Sequence, residues 1–146
     1  MKKTSTQYWL VKQEPTAYAW EVFLRDGKTN WDGVRNFQAR NNLRLMQKGD
    51  LVLYYHSVVG KEIVGVAKVT KEHFPDTTAE KGDWSAVELS PHVSLTSPLG
   101  LDTIKGDALL SEMALIKQSR LSVMPVSPEQ FKRVLEMTGT KLPGKS

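Results

Sequence analysis

The middle of the chain carries the strand-forming run Leu51-Val52-Leu53-Tyr54-Tyr55-His56, which follows Gly49-Asp50. Aromatic and aliphatic residues in a short unbroken run are typical of a buried β-strand. Residues 58–62 contain a turn, and residues 63–70 form a second strand-like run, in which Gly65 indicates a bulge or a close approach. The two runs therefore predict a β-hairpin, and the other elements are placed relative to it.

Further strand and helix signals lie on both sides of this hairpin. Strands are predicted at 8–12 (ended by Pro15), 84–89, 92–95 (after Pro91) and 121–126. Helices are predicted at 18–24 (closed by Gly27), at 36–47 (with Asn36 as N-cap), at 104–116, and after the Ser127-Pro128 N-terminal signal. This order predicts an α+β fold with a small, strongly bent or closed sheet of about five or six strands and short helices at its rim.

Length and composition restrict the classes of protein that remain. The 146 residues predict a single domain over 1–146, with flexible ends at 1–6 and 141–146. Because the chain has no cysteine, disulfides and cysteine-based zinc sites are excluded. The basic N-terminus leads into no long apolar run, so we expect no signal peptide, no membrane partner, and a cytoplasmic or nuclear location. We expect a monomer.

The stretch at 31–44, WDGVRNFQARNNLR, combines a tryptophan, three arginines and several side-chain amides, with no acid after Asp32. Flat aromatic rings, guanidinium groups and amides together suit a nucleobase and its phosphates. The net charge of +4 also favours an acidic partner. We therefore expect Arg35, Arg40 and Arg44 to contact phosphates, although the alternative is that their stems cover apolar surface.

The tryptophans each allow more than one position. Trp31 precedes a predicted helix, so we expect it in a loop with its ring exposed to a ligand, a core position being the alternative. Trp9 is expected in the core, whereas Trp20 and Trp84 fit either the core or the rim of a site.

Catalytic motifs are scarce. His56 and Ser57 are adjacent, and adjacent strand residues point to opposite faces, so they do not predict a nucleophile and base. Lys12 and Glu14 fit either an acid–base pair or a salt-bridged strand end. The histidines lack metal-ligand spacing and no phosphate-binding glycine loop occurs, so we assign no catalytic residue, metal or cofactor.

Several motifs in chain order resemble the EVE domain family: YWLVKQEP at 8–15, WDGVRN at 31–36, QARN at 38–41, GD at 49–50, YYHS at 54–57, VGVA at 64–67 and SRLSV at 119–123. The resemblance implies a PUA-like fold, a small β-barrel with flanking helices. EVE domains are similar to YTH domains, which hold a methylated base in an aromatic cage. The resemblance therefore implies a reader of modified cytosine in DNA or of a modified RNA base.

The resemblance also implies which residues form the site. The expected base pocket consists of Lys12, Trp31, Asn36, Tyr55, His56 and Ser57, and further candidates are Trp20, Gln38, Trp84, Arg120 and Ser122. Trp84 is the nearest counterpart of a second cage tryptophan. Two alternative functions remain open: a hydrolase of modified nucleosides like some ASCH domains, and a module that docks acidic peptides.

Overall fold

The computed structural model describes residues 6–142, which form one mixed sheet flanked by short helices. The strands are β1 (Tyr8–Gln13), β2 (Thr29–Trp31), β3 (Leu51–His56), β4 (Glu62–Pro75), β5 (Ser85–Gly100) and β6 (Val123–Val126). The helices are α1 (Pro15–Tyr18), α2 (Trp20–Asp26), α3 (Phe37–Leu45), α4 (Leu101–Lys105), a 3₁₀ turn (Leu110–Glu112), α5 (Ala114–Lys117) and α6 (Pro128–Thr138). The predicted α+β class is confirmed.

The six strands are ordered β2-β5-β4-β3-β1-β6. β1 and β3 are parallel, whereas the other neighbouring pairs are antiparallel. Within residues 6–142 the edge strands β2 and β6 do not pair, so the sheet is open and the expected barrel is not closed. Helix α3 packs against both β5 and β6.

The predicted hairpin is confirmed as β3 and β4, and its centre contributes to the core. Tyr54 is fully buried and contacts the rings of Trp20, Phe23 and Trp31. Gly65 on β4 is required by this packing, because a Cβ there would lie 2.2 Å from the Trp20 ring. The close approach that the sequence predicted at Gly65 is therefore present.

Two helix starts follow the predicted capping chemistry. The Asn36 side chain accepts a hydrogen bond from the Ala39 amide at 2.8 Å, and Ser127 and Gln130 form a reciprocal capping box. Each cap satisfies amide groups that the first helical turn leaves without an intrahelical partner. The local sequence therefore determines where α3 and α6 begin.

Two segments differ from the sequence expectation. The helix expected at 104–116 is divided into α4, the 3₁₀ turn and α5, because Asp107 after Gly106 accepts hydrogen bonds from the Leu109 and Leu110 amides and starts a new turn. The two strands expected around Pro91 are one strand, β5, because a register shift against β4 accommodates the proline. Of the predicted flexible ends, 1–5 and 143–146 lie outside the described residues.

Candidate functional site

A groove of about 570 Å³ lies where the carboxyl ends of β1 and β3 meet. Because these strands are parallel and Lys12 is in register with Tyr55, both side chains are delivered to the same edge of the sheet. We call this site the basic groove; it is lined by Lys12, Tyr55, Ser57, Val58, Lys61, Leu101, Leu115, Ser119 and Arg120. Two leucines thus provide apolar walls, and the serines and cations provide polar contacts.

The charges of the basic groove are all positive. Its lining contains Lys12, Lys61 and Arg120 and no carboxylate. Across residues 6–142, none of these cations takes part in a salt bridge. The groove therefore presents uncompensated positive charge to a ligand.

Two groups in the basic groove have shifted protonation equilibria. The Lys12 ammonium donates to the Ser119 carbonyl oxygen at 2.6 Å, and burial lowers the pKa of Lys12. Burial raises the pKa of Tyr55, so its phenol stays neutral at physiological pH. The backbone amide of Lys12 also donates to the Ser122 carbonyl oxygen at 3.0 Å, which fixes the end of β1 against the start of β6.

A second groove, of about 340 Å³, adjoins the first one. We call it the amide groove; Ser119 and Arg120 line both grooves, and Asn36, Gln38, Gln118 and Leu121 complete it. Because the Asn36 oxygen caps α3, its amide nitrogen is the part of the side chain that remains for a ligand. The two grooves together form a continuous surface of cations and amides.

The position of Trp31 corrects the sequence expectation. Its side chain is only 5% exposed, and its ring packs edge-on against Tyr54 with centroids 5.5 Å apart. Trp31 is buried because it belongs to β2 and pairs with Val87 of β5. The expected free indole at the mouth of a barrel is therefore wrong. A recess of about 220 Å³ lies beside it, with Asp32 at its edge; burial, followed by repulsion from Asp76, raises the pKa of Asp32.

His56 and Trp20 are buried next to each other and bond within the fold. The Trp20 amide donates to Nε2 of His56 at 3.1 Å, and the Trp20 indole nitrogen donates to the Ser94 hydroxyl at 2.8 Å. His56 is therefore a neutral acceptor with its proton on Nδ1. Burial lowers the pKa of His56, although Glu21 and Glu62 act in the opposite direction. Neither His56 nor Trp20 lines the basic groove.

The predicted phosphate contacts Arg35 and Arg44 each bond to a carboxylate. Arg35 meets Asp76 at 2.9 Å, and the Asp76 side chain is completely buried. Burial acts to raise the pKa of Asp76, but hydrogen bonds from Thr78, Arg35 and the Gly33 amide outweigh it and hold that pKa well below its usual range. Arg44 meets Asp83 at 2.7 Å and lowers the pKa of that exposed carboxyl.

Arg40 contacts the same β4–β5 loop and two aromatic rings. It donates to the Asp83 carbonyl oxygen at 3.0 Å, and its guanidinium carbon lies 5.1 Å from the centre of the Phe37 ring and 5.8 Å from that of Trp84. Phe37 and Trp84 stack with centroids 5.2 Å apart. We call Arg35, Arg40 and Arg44 with Asp76 and Asp83 the arginine clamp, since it joins α3 and the chain before it to the loop between β4 and β5.

The predicted site residues are thus divided among several places. Lys12, Tyr55, Ser57 and Arg120 come together in the basic groove, and Asn36 and Gln38 lie in the amide groove. The grooves do not include Trp20, Trp31, His56, Trp84, Ser122 or the arginines of the clamp. The basic groove also contains residues that were not predicted from the sequence: Val58, Lys61, Leu101, Leu115 and Ser119. They come from loops and short helices whose position depends on the fold.

Other types of site find little support in the described part of the chain. No group of three acidic or histidine side chains there could hold a metal ion. Lys12 and Glu14 share no hydrogen bond or ion pair within residues 6–142, so the alternative acid–base pair lacks a contact. No helix among these residues has the length and apolar character needed to cross a bilayer.

The fold and the grooves define a small α+β domain with a basic cleft at one end of an open mixed sheet. The chain belongs to the EVE domain family, whose profile matches residues 7–137. Thymocyte nuclear protein 1 of Rattus norvegicus is 32% identical over 92% of this chain and 75% of the relative.

Solved structures are similar over almost the whole chain. A protein of Agrobacterium tumefaciens aligns with a TM-score of 0.91 and 38% identity, covering 97% of this chain and 99% of that one. The human THYN1 protein in complex with DNA that contains 5-methylcytosine aligns with a TM-score of 0.86 and 29% identity, covering 93% and 99%. The ASCH protein of Zymomonas mobilis, at 12% identity and a TM-score of 0.61 over 92% and 97%, shares the fold alone. The predicted PUA-like fold class is confirmed.

Proposed function

We propose that this chain binds nucleic acid and holds one modified base in the basic groove. The observation that carries the proposal is the convergence of Lys12, Lys61 and Arg120, without a carboxylate, around a cleft that also has apolar walls. Phosphates require the first feature and a base requires the second. The complex of the human relative, which is 29% identical, with DNA that contains 5-methylcytosine supports a nucleic acid with a modified base as the ligand.

The size and lining of the basic groove suit a single base. Its volume of about 570 Å³ lies within the range of roughly 300–1,000 Å³ that is typical of small-ligand sites. Leu101 and Leu115 offer apolar contact of the kind that a methyl group on a pyrimidine requires. Ser57 and Ser119 offer a hydroxyl and a carbonyl oxygen that can bond to the edge of the base.

The amide groove extends this surface toward the neighbouring nucleotides. Arg120 lines both grooves, so a phosphate bound by Arg120 connects a base in the first groove with a nucleotide along the second. Gln38 and the amide nitrogen of Asn36 donate hydrogen bonds there, to base edges or to phosphate oxygens. The nucleic acid is thus held on both sides of the selected base.

Base selection must favour a base that is easily extruded. Unstacking a base from a duplex costs a few kcal/mol, and the cost is smallest for a mismatched, damaged or single-stranded base. Phosphate contacts supply affinity that does not depend on sequence, whereas the groove supplies the preference for the modified base. We therefore expect moderate affinity for any strand and a higher affinity where a modified base is present.

The test is fluorescence anisotropy with the whole chain and matched oligonucleotides. The probes are single-stranded and duplex DNA with 5-methylcytosine or cytosine at one position, and the corresponding RNA strands. We expect the 5-methylcytosine probe to bind several-fold more tightly than the cytosine probe, and Lys12→Met to weaken both.

The matched control is Lys132→Met, which removes the same charge from an exposed position on α6 that lines neither groove. A polyglutamate peptide added as competitor tests the acidic-peptide alternative, and chromatography of modified nucleosides after incubation tests the hydrolase alternative. Equal binding to all probes would contradict recognition of a modified base. Unchanged binding by Lys12→Met would contradict the location of the binding site in the basic groove.

A further inference from the structure

The loop that connects β3 and β4 presents two apolar side chains at the mouth of the basic groove. Val58 is 63% exposed and Val59 is 54% exposed, although both are branched aliphatic residues. Val58 also lines the groove itself. Adjacent exposed apolar residues rimmed by polar ones are a feature of interaction sites and ligand grooves.

The backbone of this loop is held in an uncommon conformation. Val58 has a φ of 69°, and the Val59 amide donates to the Ser57 carbonyl oxygen at 2.7 Å, which closes a three-residue γ-turn of the rare form with positive φ. Positive φ is unfavourable for a β-branched residue. Strain of this kind persists where the surrounding structure fixes the chain, and it is concentrated at functional sites.

Both ends of the loop are fixed while its tip projects. The Ser57 amide donates to the Gln13 carbonyl oxygen at 3.0 Å, and the Lys61 carbonyl oxygen accepts from the Leu101 amide at 2.9 Å. The residues between these two anchors, Val58 to Gly60, are exposed. The loop is therefore anchored at both ends, and the γ-turn defines the backbone of its exposed tip.

We infer that Val58 and Val59 form an apolar wedge, which enters the base stack of a duplex and fills the space vacated by the base in the basic groove. This inference rests on the proposed function. A duplex that loses one base from its stack has an apolar gap beside the extruded nucleotide, and apolar side chains inserted between base steps are a known way to stabilise such distortion. The cations line the same groove as Val58, so the phosphates flanking the gap would meet Lys12, Lys61 and Arg120.

The test compares a 5-methylcytosine DNA duplex with the same 5-methylcytosine strand alone. The main variant is Val59→Ser, because Val59 does not line the groove. A second variant adds Val58→Asn, since asparagine tolerates positive φ and so keeps the loop folded. The matched control is Leu24→Ser, which removes an apolar side chain that is 44% exposed and lines neither groove.

We expect Val59→Ser to weaken duplex binding about tenfold while single-strand binding changes less than about twofold, because only the duplex has a stack to fill. The added Val58→Asn should weaken duplex binding further, with a smaller loss for the single strand because Val58 also lines the groove, and Leu24→Ser should change neither. With 2-aminopurine beside the methylated base, the wild type should raise the fluorescence of the duplex and the variant should raise it less. An equal loss on both probes, or no loss, would overturn the wedge.

The same measurements separate the wedge from the proposed function. If the wild type binds the single strand but not the duplex, the wedge is overturned and the reading of a modified base survives. If the wild type binds neither probe, the proposed function fails and the wedge fails with it. If it binds both and Val59→Ser affects neither, only the wedge fails.

Discussion

The basic groove and the arginine clamp hold the same number of cations but differ in what surrounds them. The groove contains Lys12, Lys61 and Arg120 without a carboxylate in its lining. The clamp contains three arginines, two of which meet Asp76 and Asp83 at 2.9 and 2.7 Å. The contrast teaches that a cluster of cations in a sequence marks a ligand site only where the fold leaves the charges uncompensated.

The groove and the clamp differ in how strongly their cations can attract a phosphate. A guanidinium that already bonds to a carboxylate gains little from a second anion, and the carboxylate repels that anion. Among residues 6–142 the Lys12 ammonium donates to a neutral carbonyl oxygen and forms no ion pair, so its positive charge acts on an approaching polyanion. We therefore assign a structural role to the clamp and a ligand-binding role to the groove. Each prediction below tests this division of roles.

The largest expected effect is on stability and comes from the clamp. The buried Asp76 side chain accepts hydrogen bonds from the Gly33 amide, Arg35 and Thr78. Asp76→Ala should lower the free energy of unfolding by about 3 kcal/mol, since hydrogen bonds to a charged group are lost together with the ion pair. Urea denaturation measures this change.

The control for Asp76→Ala is Asp83→Ala, which removes the exposed partner of Arg44 and should affect stability much less. At a temperature where the Asp76→Ala protein is folded, its affinity for DNA should equal that of the wild type. A strong loss of affinity by folded protein would contradict the division, because it would place the clamp in the binding surface.

The next largest effect is on binding and comes from the groove. The double variant Lys12→Met and Arg120→Gln should weaken binding of duplex DNA by about tenfold to a hundredfold and reduce the salt slope by about 2, since two phosphate contacts are lost. Unfolding should change little, because methionine and glutamine retain much of each side-chain stem. Anisotropy titrations across a range of salt concentrations measure both quantities.

The matched control removes the same two charges elsewhere, with Lys132→Met and Arg25→Gln on exposed positions that line neither groove. Its affinity and salt slope should remain close to those of the wild type. An equal loss in both double variants would show that net charge, rather than the position of the cations, governs the affinity.

Features that depend on local sequence could be predicted, whereas features that depend on contacts between distant residues could not. The caps at Asn36 and Ser127 and the close approach at Gly65 follow from local rules, so they could be predicted. The partner of Arg35 lies 41 residues away, so no local pattern reveals that this arginine is paired. Trp31 was misplaced for a similar reason, since its burial depends on pairing with β5.

The groove residues show how far the candidate site could be predicted from the sequence. Lys12, Tyr55 and Ser57 could be predicted because their motifs resemble the EVE family, and parallel pairing of β1 with β3 brings them together in the groove. Leu101 joins them because its amide donates to the Lys61 carbonyl oxygen, a contact between the β3–β4 loop and the start of α4. Such a contact depends on the whole fold and leaves no periodic signal in the sequence.

The two regions should also differ in their response to acid. Beside the groove, His56 accepts a hydrogen bond as a neutral ring and its folded pKa is lowered, so the unfolded chain binds the proton more readily. Its contribution to stability is therefore complete above the unfolded pKa of about 6.5 and declines as the pH falls below it, by at most about 1.4 kcal/mol per pH unit. The clamp should persist in this range, because the pKa of Asp76 is already low.

Urea denaturation between pH 7.5 and 5 checks this response, with His56→Gln as the comparison, because glutamine accepts the Trp20 hydrogen bond without titrating. The variant should lose part of the pH dependence. The part that remains is assigned to His92, whose pKa is also lowered by burial and, to a smaller degree, by Lys68. An unchanged pH profile would show that His56 does not carry the effect.

The smallest effect is expected at Arg40, the residue that tests the division most directly. Arg40 belongs to the clamp but bonds to a carbonyl oxygen and to Asn41, and among residues 6–142 it makes no salt bridge with a carboxylate. Asp83 nevertheless lies close enough for Arg40 to help lower its pKa, so part of the charge is compensated. Arg40→Gln should therefore weaken DNA binding by only about twofold and reduce the salt slope by less than about 0.5, well below the value of about 0.9 for a full phosphate contact. Arg40→Lys should restore the affinity if charge alone matters. A loss of DNA affinity as large as that of Lys12→Met would show that the nucleic-acid-binding surface extends from the grooves across the Phe37 and Trp84 rings. The clamp would then have a binding role in addition to its structural role.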